Sequence, residues 1–169
     1  MPSLQSIEPT VFRVDPKPTL LGGYSPSSGH FHFPRQPLCP YTGAQDVEDI
    51  ELSCAATLWG WTAVTAPPPG YDGIVPYGFG VVELTKERLR VVTRITEADP
   101  SRLNFGDSMT LVADVVGRDK DGNELAVWSF APVNSAPVNS APVMSTIIDA
   151  TKVALNGDEK APPTETAPA

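Results

Sequence analysis

The chain has only two cysteines, Cys39 and Cys54, and nothing in it marks export to an oxidising compartment, so a disulfide framework is excluded. Both histidines, His30 and His32, sit in one short stretch, GHFHF, beside Pro34 and Cys39. Nucleophilic catalysis needs a cysteine or serine within reach of a base, and Cys39 with His32 is the one pair worth naming. Its spacing follows from a ribbon-like pattern, and no catalytic residue is expected on this chain. GxGxxG, phosphate-loop and zinc-hydrolase motifs are absent. No apolar run approaches the ~18 residues of a membrane helix. The start MPSLQSIEPTVFRVDP has neither the basic flank nor the apolar stretch of an export signal. Positive charge is scarce as well: 12 Lys and Arg against 20 Asp and Glu give a formal net charge of −8, which repels phosphate backbones and anionic lipid. These absences predict a soluble cytoplasmic protein that partners neither nucleic acid nor membrane.

What the chain does contain is a series of strand patterns between proline-rich breaks. At 169 residues and 41% apolar, it is long enough for one good core plus attachments. Residues 1–19 mix proline, charge and isolated apolar positions such as Val11 and Phe12 without a period, which reads as an N-terminal extended arm. Residues 20–49 hold a ribbon-like loop with an acidic exit, and residues 50–131 turn to period two. In RLRVVTRIT, residues 88–96, Leu89, Val91, Thr93 and Ile95 alternate with Arg88, Arg90, Val92, Arg94 and Thr96, predicting one buried face and one mostly basic face. MTLVADVVG, residues 109–117, alternates likewise, and Asp121-Gly122 supplies a hairpin turn before LAVWSF. TLWGWTAVT and YGFGVVEL are strands flanking APPPGYDGIVP, whose consecutive prolines forbid continuous sheet pairing. EADPSRLNFGD predicts a short helix or turn starting near Asp99-Pro100. Five strands, with a long connection after the first and a short insert after the third, predict a mainly β fold: a small Greek-key barrel of the OB type. Cys54, inside the apolar run LSCAATLWGW, reads as a core thiol.

Residues 132–169 form a C-terminal attachment. The repeat APVNS-APVNS-APVMS, residues 131–145, favours an extended, polyproline-like spacer. After it, Ile147, Ile148, Thr151, Ala154 and Leu155 share one helical face, and Gly157 is a stop. So short a helix is marginal alone; it either packs back on its own barrel or clasps a partner subunit. The terminus NGDEKAPPTETAPA is polar, with little to bury.

The stretch SPSSGHFHFPRQPLCPYTG, residues 25–43, has the layout of a zinc ribbon without its ligands. Tetrahedral zinc wants two CxxC knuckles, and here the knuckle positions read Ser25, Ser28, Cys39 and Thr42. Neutral hydroxyls are poor zinc ligands, so no metal is expected at these degenerate positions. Serine and threonine can instead hydrogen-bond nearby backbone and hold the turns. The alternative is an improvised metal set of His30, His32, Cys39 and Cys54.

The succession LLGGYSPSSGHFHFPRQPLCPYTG and LSCAATLWGWTAVTAPPPGYDGIVPYGFGVVEL resembles the DUF35 family over roughly residues 18–131. Its pattern is CxxCG, an FPxR-type segment, CPxC, a strand ending in aromatic-[ST]-aromatic-T, a Pro-rich loop and PYxxxxVxL. Only the metal ligands depart from it. The resemblance implies a rubredoxin-like ribbon followed by an OB-fold, and a non-catalytic partner of a thiolase-superfamily enzyme. Family partners include archaeal acetoacetyl-CoA thiolase complexes, steroid side-chain aldolases, phloroglucinol acyltransferases and the benzoylsuccinyl-CoA thiolase of anaerobic toluene degradation. By the same resemblance the chain helps shape the acyl-CoA approach in a hetero-oligomer. The coenzyme A thioester would be the complex's substrate, and no cofactor is held tightly by this chain.

Within that frame the Pro-rich loop, with Pro69, Tyr71, Pro76 and Tyr77, is the candidate channel wall, joined by Arg35 of the FPR segment. Arg35 can equally serve to pack its own loop. Arg88, Arg90 and Arg94 either pair with local carboxylates or meet a partner's acidic surface or the phosphates of coenzyme A. With Ile147, Ile148 and Leu155 they are the candidate partner contacts. Trp59 and Trp61 read as sharing one strand face, near Tyr77 and Phe79, as core or interface aromatics. A stand-alone OB-fold that stacks single-stranded bases on them is the alternative function.

Overall fold

A computed structural model describes residues 3–71 and 73–133 of the chain. The repeat from residue 134 on and the helical pattern with Ile147, Ile148 and Leu155 lie outside the described residues. Among the described residues there is no α-helix. The chain forms strands β1 (Leu4–Ser6), β2 (Phe12–Arg13), β3 (Thr19–Ser25), β4 (His30–His32), β5 (Glu48–Glu51), β6 (Ala55–Val64), β7 (Tyr77–Leu84), β8 (Arg90–Ile95), β9 (Ser108–Arg118) and β10 (Glu124–Pro132). One 3-10 turn, Pro100–Arg102, falls in the segment expected to be helix or turn, and Asp99 caps it by accepting from the Ser101 amide.

The last five strands close a barrel. β6 pairs β7, β7 pairs β8, β8 pairs β10 in parallel, β10 pairs β9, and β9 returns to β6. This 1-2-3-5-4-1 circuit is the OB topology, with the Pro-rich loop between its first and second strands. Closure requires the wall to bend tightly at β7. There Gly80 has no side chain, and a Cβ would strike the Gly60 carbonyl and the Ile95 side chain. Alternation then sorts the side chains: Leu58, Val82, Leu84, Val91, Ile95, Met109, Leu111, Ala126 and Phe130 are buried inside.

Closure leaves one gap, and the N-terminus fills it. β8 meets β10 only at Arg94–Ser129 and Ile95–Phe130, so the first half of β10 would be an open edge. β1 pairs there instead, in parallel, from Leu4–Glu124 to Ser6–Ala126. The segment read as an extended arm is thus bound at both ends: β1 belongs to the barrel and β2 pairs with β3.

The ribbon segment is organised around β3, which pairs with β2, β4 and β5. It shares one core with the barrel. Phe12 of β2 is fully buried, and its ring lies 6.4 Å from that of Trp128 on β10. Phe33, beyond β4, meets the same indole edge-on at 5.5 Å. Glu87, buried in the β7–β8 turn, accepts from both the amide and the hydroxyl of Ser53, tying the ribbon's exit to that hairpin. Cys54, half-buried, packs against the core, with its thiol 3.6 Å from the Pro18 carbonyl.

A shared core means a shared transition. Phe12→Ala is expected to cost about 3–5 kcal/mol. Urea unfolding followed by tryptophan fluorescence and by far-ultraviolet circular dichroism should give a single coincident transition, shifted to lower urea in the variant. Two separated transitions would show that ribbon and barrel fold apart.

Candidate functional site

Two groups of the residues singled out in the sequence are drawn together. The first is the set of degenerate knuckle positions. Gly29 and Gly43 take positive φ (69° and 74°), which lets each knuckle turn back. The hydroxyl of Ser28 lies 3.4 Å from the Cys39 sulfur. Cys39 is 1% exposed, and its thiol is pushed down to about 6. The Ser28 hydroxyl is the main cause; Thr42, Ser25 and the Tyr41 backbone add to it, against the opposing effect of burial. All four positions therefore still converge around the Cys39 sulfur, with the Ser28 and Thr42 hydroxyls as its main donors. Ser25, fully buried, gives its one hydroxyl proton to Asp46 at 2.7 Å, and the Ser27 amide donates to the other oxygen of the same carboxylate at 2.7 Å. The Ser27 hydroxyl and amide, with the Ser25 hydroxyl, hold the Asp46 carboxyl below its usual range. Asp46 is a residue that knuckle spacing does not point to.

Three hydroxyls and one thiol do not fit a structural zinc ion, which wants four soft or borderline donors. The improvised set is not gathered either: among the described residues no cluster of three His, Cys, Asp or Glu could hold an ion. His30 is exposed, stacks on Tyr41 and places Nδ1 2.7 Å from the Ser28 carbonyl oxygen. His32 is buried, and its ring occupies the space that a side chain on Gly23 would fill. It lines an open depression of about 550 Å³ with Phe33, Leu38 and Cys39. Cys54 lies against Pro18 instead.

The second group is on the outer wall of β6, β7 and β8. Arg94 lies 4.0 Å from the centroid of the Tyr77 ring, and its guanidinium donates to the Tyr71 hydroxyl at 3.1 Å. It also pairs with Asp114 of β9 at 3.0 Å, reaching across β10, because Ser129 of β10 is level with Arg94 and Val127 with Asp114. Tyr71 and Tyr77 close the Pro-rich loop with ring centroids 5.5 Å apart, so Arg94 fastens that loop to the barrel. Pro69 and Pro76 are exposed on the same loop. Arg35 belongs elsewhere: it is ion-paired to Asp49 of β5, in the ribbon.

Two expectations about this wall need correction. Arg88 is not on the strand with Arg90 and Arg94; it sits in the β7–β8 turn at φ 55°, and both Arg88 and Arg90 pair with Glu83. The strand begins at Arg90, two residues later than the alternation suggests, because a hairpin's residues can keep an apolar-polar rhythm. Trp59 and Trp61 do not share a face. A β-bulge between Leu58 and Gly60 inserts Trp59 as an extra residue, so Trp61 packs on the core and donates to the Pro100 carbonyl at 3.0 Å. Trp59 turns outward, 5.9 Å from Phe105, with the Arg90 guanidinium 3.6 Å from its ring centroid. Nothing in the sequence alone marks a bulge.

Residues 49–114 match the family model described as ChsH2, C-terminal OB-fold domain. The chain is 30% identical over 115 residues to a DUF35 domain-containing scaffold protein of Pyrococcus furiosus, covering 68% of this chain and 83% of the relative. A protein of the same description from Methanothermobacter thermautotrophicus is 27% identical over 94 residues, 55% of this chain and 70% of the other. Among solved structures the chain is similar to one described as "Ltp2-ChsH2(DUF35) aldolase", at a TM-score of 0.53 and 23% identity, covering 68% of this chain and 84% of that one. That likeness carries the fold.

The Cys39 arrangement has a pH signature. A thiol whose folded value is depressed to about 6 from 9.0 contributes stability that is complete above pH 9 and lost as pH falls through about 6. Ultraviolet titration of the thiolate should show one midpoint near 6, absent in Cys39→Ala and moved up in Ser28→Ala. Between pH 9 and pH 6 the urea midpoint of the wild type should fall further than that of Cys39→Ala; equal falls would remove the thiolate from the account.

Proposed function

The chain belongs to the DUF35 family, and from that premise we propose that it is a non-catalytic scaffold subunit of a thiolase-type acyl-CoA enzyme. The observation that carries the reading is the 30% identity, over 83% of its length, to a relative described as a scaffold protein. The chemistry of the described residues agrees. Cys39 is held by hydroxyls, His32 is buried beside Gly23, and the arginines are engaged by carboxylates and tyrosines, an arrangement suited to fixing shape. In this reading the nucleophile and the acid–base residues belong to the partner chain.

The Pro-rich loop forms part of the wall of the acyl-CoA channel. Prolines need little ordering when a ligand or partner presses on them. The Arg94, Tyr71 and Tyr77 contacts fix the loop's far end to the barrel, so Pro69, Tyr71, Pro76 and Tyr77 would present one rigid edge to the pantetheine arm. Arg35, in the ribbon, is available to the acidic surface of the partner or to a coenzyme A phosphate once its exposed pair with Asp49 opens. An exposed ion pair contributes only ~0–1 kcal/mol, so opening it costs little. Arg88, Arg90 and Arg94 stand among the partner contacts.

Purification of the tagged chain from its native host is the test. A thiolase-superfamily chain in fixed molar ratio is expected, with acyl-CoA turnover by the pair and none by the isolated scaffold. Within the pair, Tyr71→Ala should raise KM for the acyl-CoA about tenfold, roughly 1.4 kcal/mol, with kcat little changed. A monomer that recovers no such partner, or turnover by the chain alone, contradicts the proposal.

A further inference from the structure

The outer wall of β6, β7 and β8 carries more apolar surface than a solvated barrel needs. Strand register fixes what lies side by side there. Phe79 is level with Arg94, Val81 with Val92, and Glu83 with Arg90, and Thr62 of β6 is level with Phe79. Paired residues on one face of antiparallel strands have Cβ atoms ~4.5–5.5 Å apart, so these side chains form one continuous ladder. Phe79 is 40% exposed, Val92 57% and Trp59 43%, while Phe105, packed on Trp59, is 67% exposed. Ile74, 74% exposed, lies in the Pro-rich loop that leads into β7, its carbonyl accepting from the Tyr71 hydroxyl at 3.4 Å.

The polar groups around the strip are unevenly balanced. At one end Arg94 is matched by Asp114. At the other end Arg88, 77% exposed, and Arg90, 51% exposed, share the single carboxylate of Glu83. Lys86, exposed in the same turn, adds to the positive side and makes no ion pair among the described residues, while the turn's other carboxylate, Glu87, is buried and turned to Ser53. A chain of net charge −8 thus turns a locally cationic rim toward an apolar centre built of tryptophan, phenylalanine and valine. Aromatics backed by arginine, with apolar surface between them, are the composition of an interface core.

We infer that this wall, from Trp59 and Phe105 across Val92 to Phe79 and Ile74, is the face on which the enzyme subunit docks, through an apolar patch rimmed by carboxylates. The inference rests on the scaffold reading and deepens it. Charge decides the occupant and its orientation. A carboxylate-rimmed partner is repelled by the net acidic charge of the chain and, on this wall, attracted at the Lys86, Arg88 and Arg90 end, which sets the direction of approach. Single-stranded nucleic acid fits less well: its phosphates need cations along the whole track, whereas here the excess is confined to the Lys86, Arg88 and Arg90 end, Arg94 at the other end is matched by Asp114, and the chain carries a net charge of −8. The docked geometry also puts the partner beside Ile74, at the edge of the loop assigned to the acyl-CoA channel.

The test uses the full chain and the thiolase-type subunit recovered with it, mixed as purified proteins. Val92→Asp places a carboxylate between Arg90 and Arg94 at an exposed strand position, and Phe105→Ser removes the most exposed aromatic of the strip without touching the core. Both are expected to fold with wild-type circular dichroism and to weaken binding at least tenfold, whereas Leu38→Asp, in the ribbon, binds like the wild type. Hydrogen exchange in the wild-type complex should slow in β7 and β8 and at Phe105. If the wild type itself does not bind, the scaffold reading fails. If it binds and Val92→Asp binds equally, or if Leu38→Asp weakens binding as much, the docking face is wrong and the scaffold reading stands. Salt-sensitive retention of oligothymidylate by the wild type, lost in Val92→Asp, would overturn the inference in favour of a nucleic-acid face.

Discussion

Barrel closure is the constraint from which the other features follow. Once β9 pairs with both β10 and β6, each of the five strands has one side inside and one outside, and no strand can turn to hide an unwelcome residue. The interior takes Leu58, Val82, Val91, Ile95 and Phe130 to nearly complete burial. The residues between them must face outward whatever their character. Phe79, Val92 and the bulged Trp59 are therefore exposed by topology, and a partner is what would cover them.

The turns around Cys39 are held together by hydrogen bonds rather than by the ligand set of a zinc ribbon. Zinc ribbons draw two turns together through thiolates bound to one cation. Here the attraction runs the other way: hydroxyl dipoles point at one anionic sulfur, and the Asp46 carboxylate grips the outer side of the first turn. Hydrogen bonds to a charged group are roughly twice as strong as neutral ones, and several acting together can hold two short loops. Phe12 and Phe33 then need only to dock on Trp128 to make ribbon and barrel one body.

The period-two strands were legible in the sequence because a barrel wall imposes alternation on every residue it contains. RLRVVTRIT and MTLVADVVG show it, and Asp99-Pro100 and Asp121-Gly122 mark their turns by side-chain and backbone chemistry that is local to them. β1 was not legible: three residues, Leu-Gln-Ser, carry no period, and their partner lies some 120 positions along the chain. The bulge at Trp59 was hidden for a related reason, since an inserted residue leaves the local pattern intact and changes only which side it faces. The knuckle spacing did place Ser25, Ser28, Cys39 and Thr42 together, but Asp46 joins them through a tertiary contact that no local spacing encodes.

The DUF35 chain thus combines a rigid barrel, a ribbon held by hydrogen bonds around a thiolate, and an outward apolar wall beside a fastened Pro-rich loop. In the proposed role each part would give shape to a neighbour and leave the chemistry to it. The most direct measurement is acyl-CoA turnover by the purified thiolase-type subunit, titrated with this chain at fixed enzyme concentration. The account requires activity to climb with added scaffold and level off at a fixed molar ratio; turnover that is unchanged by the chain at any ratio would contradict it.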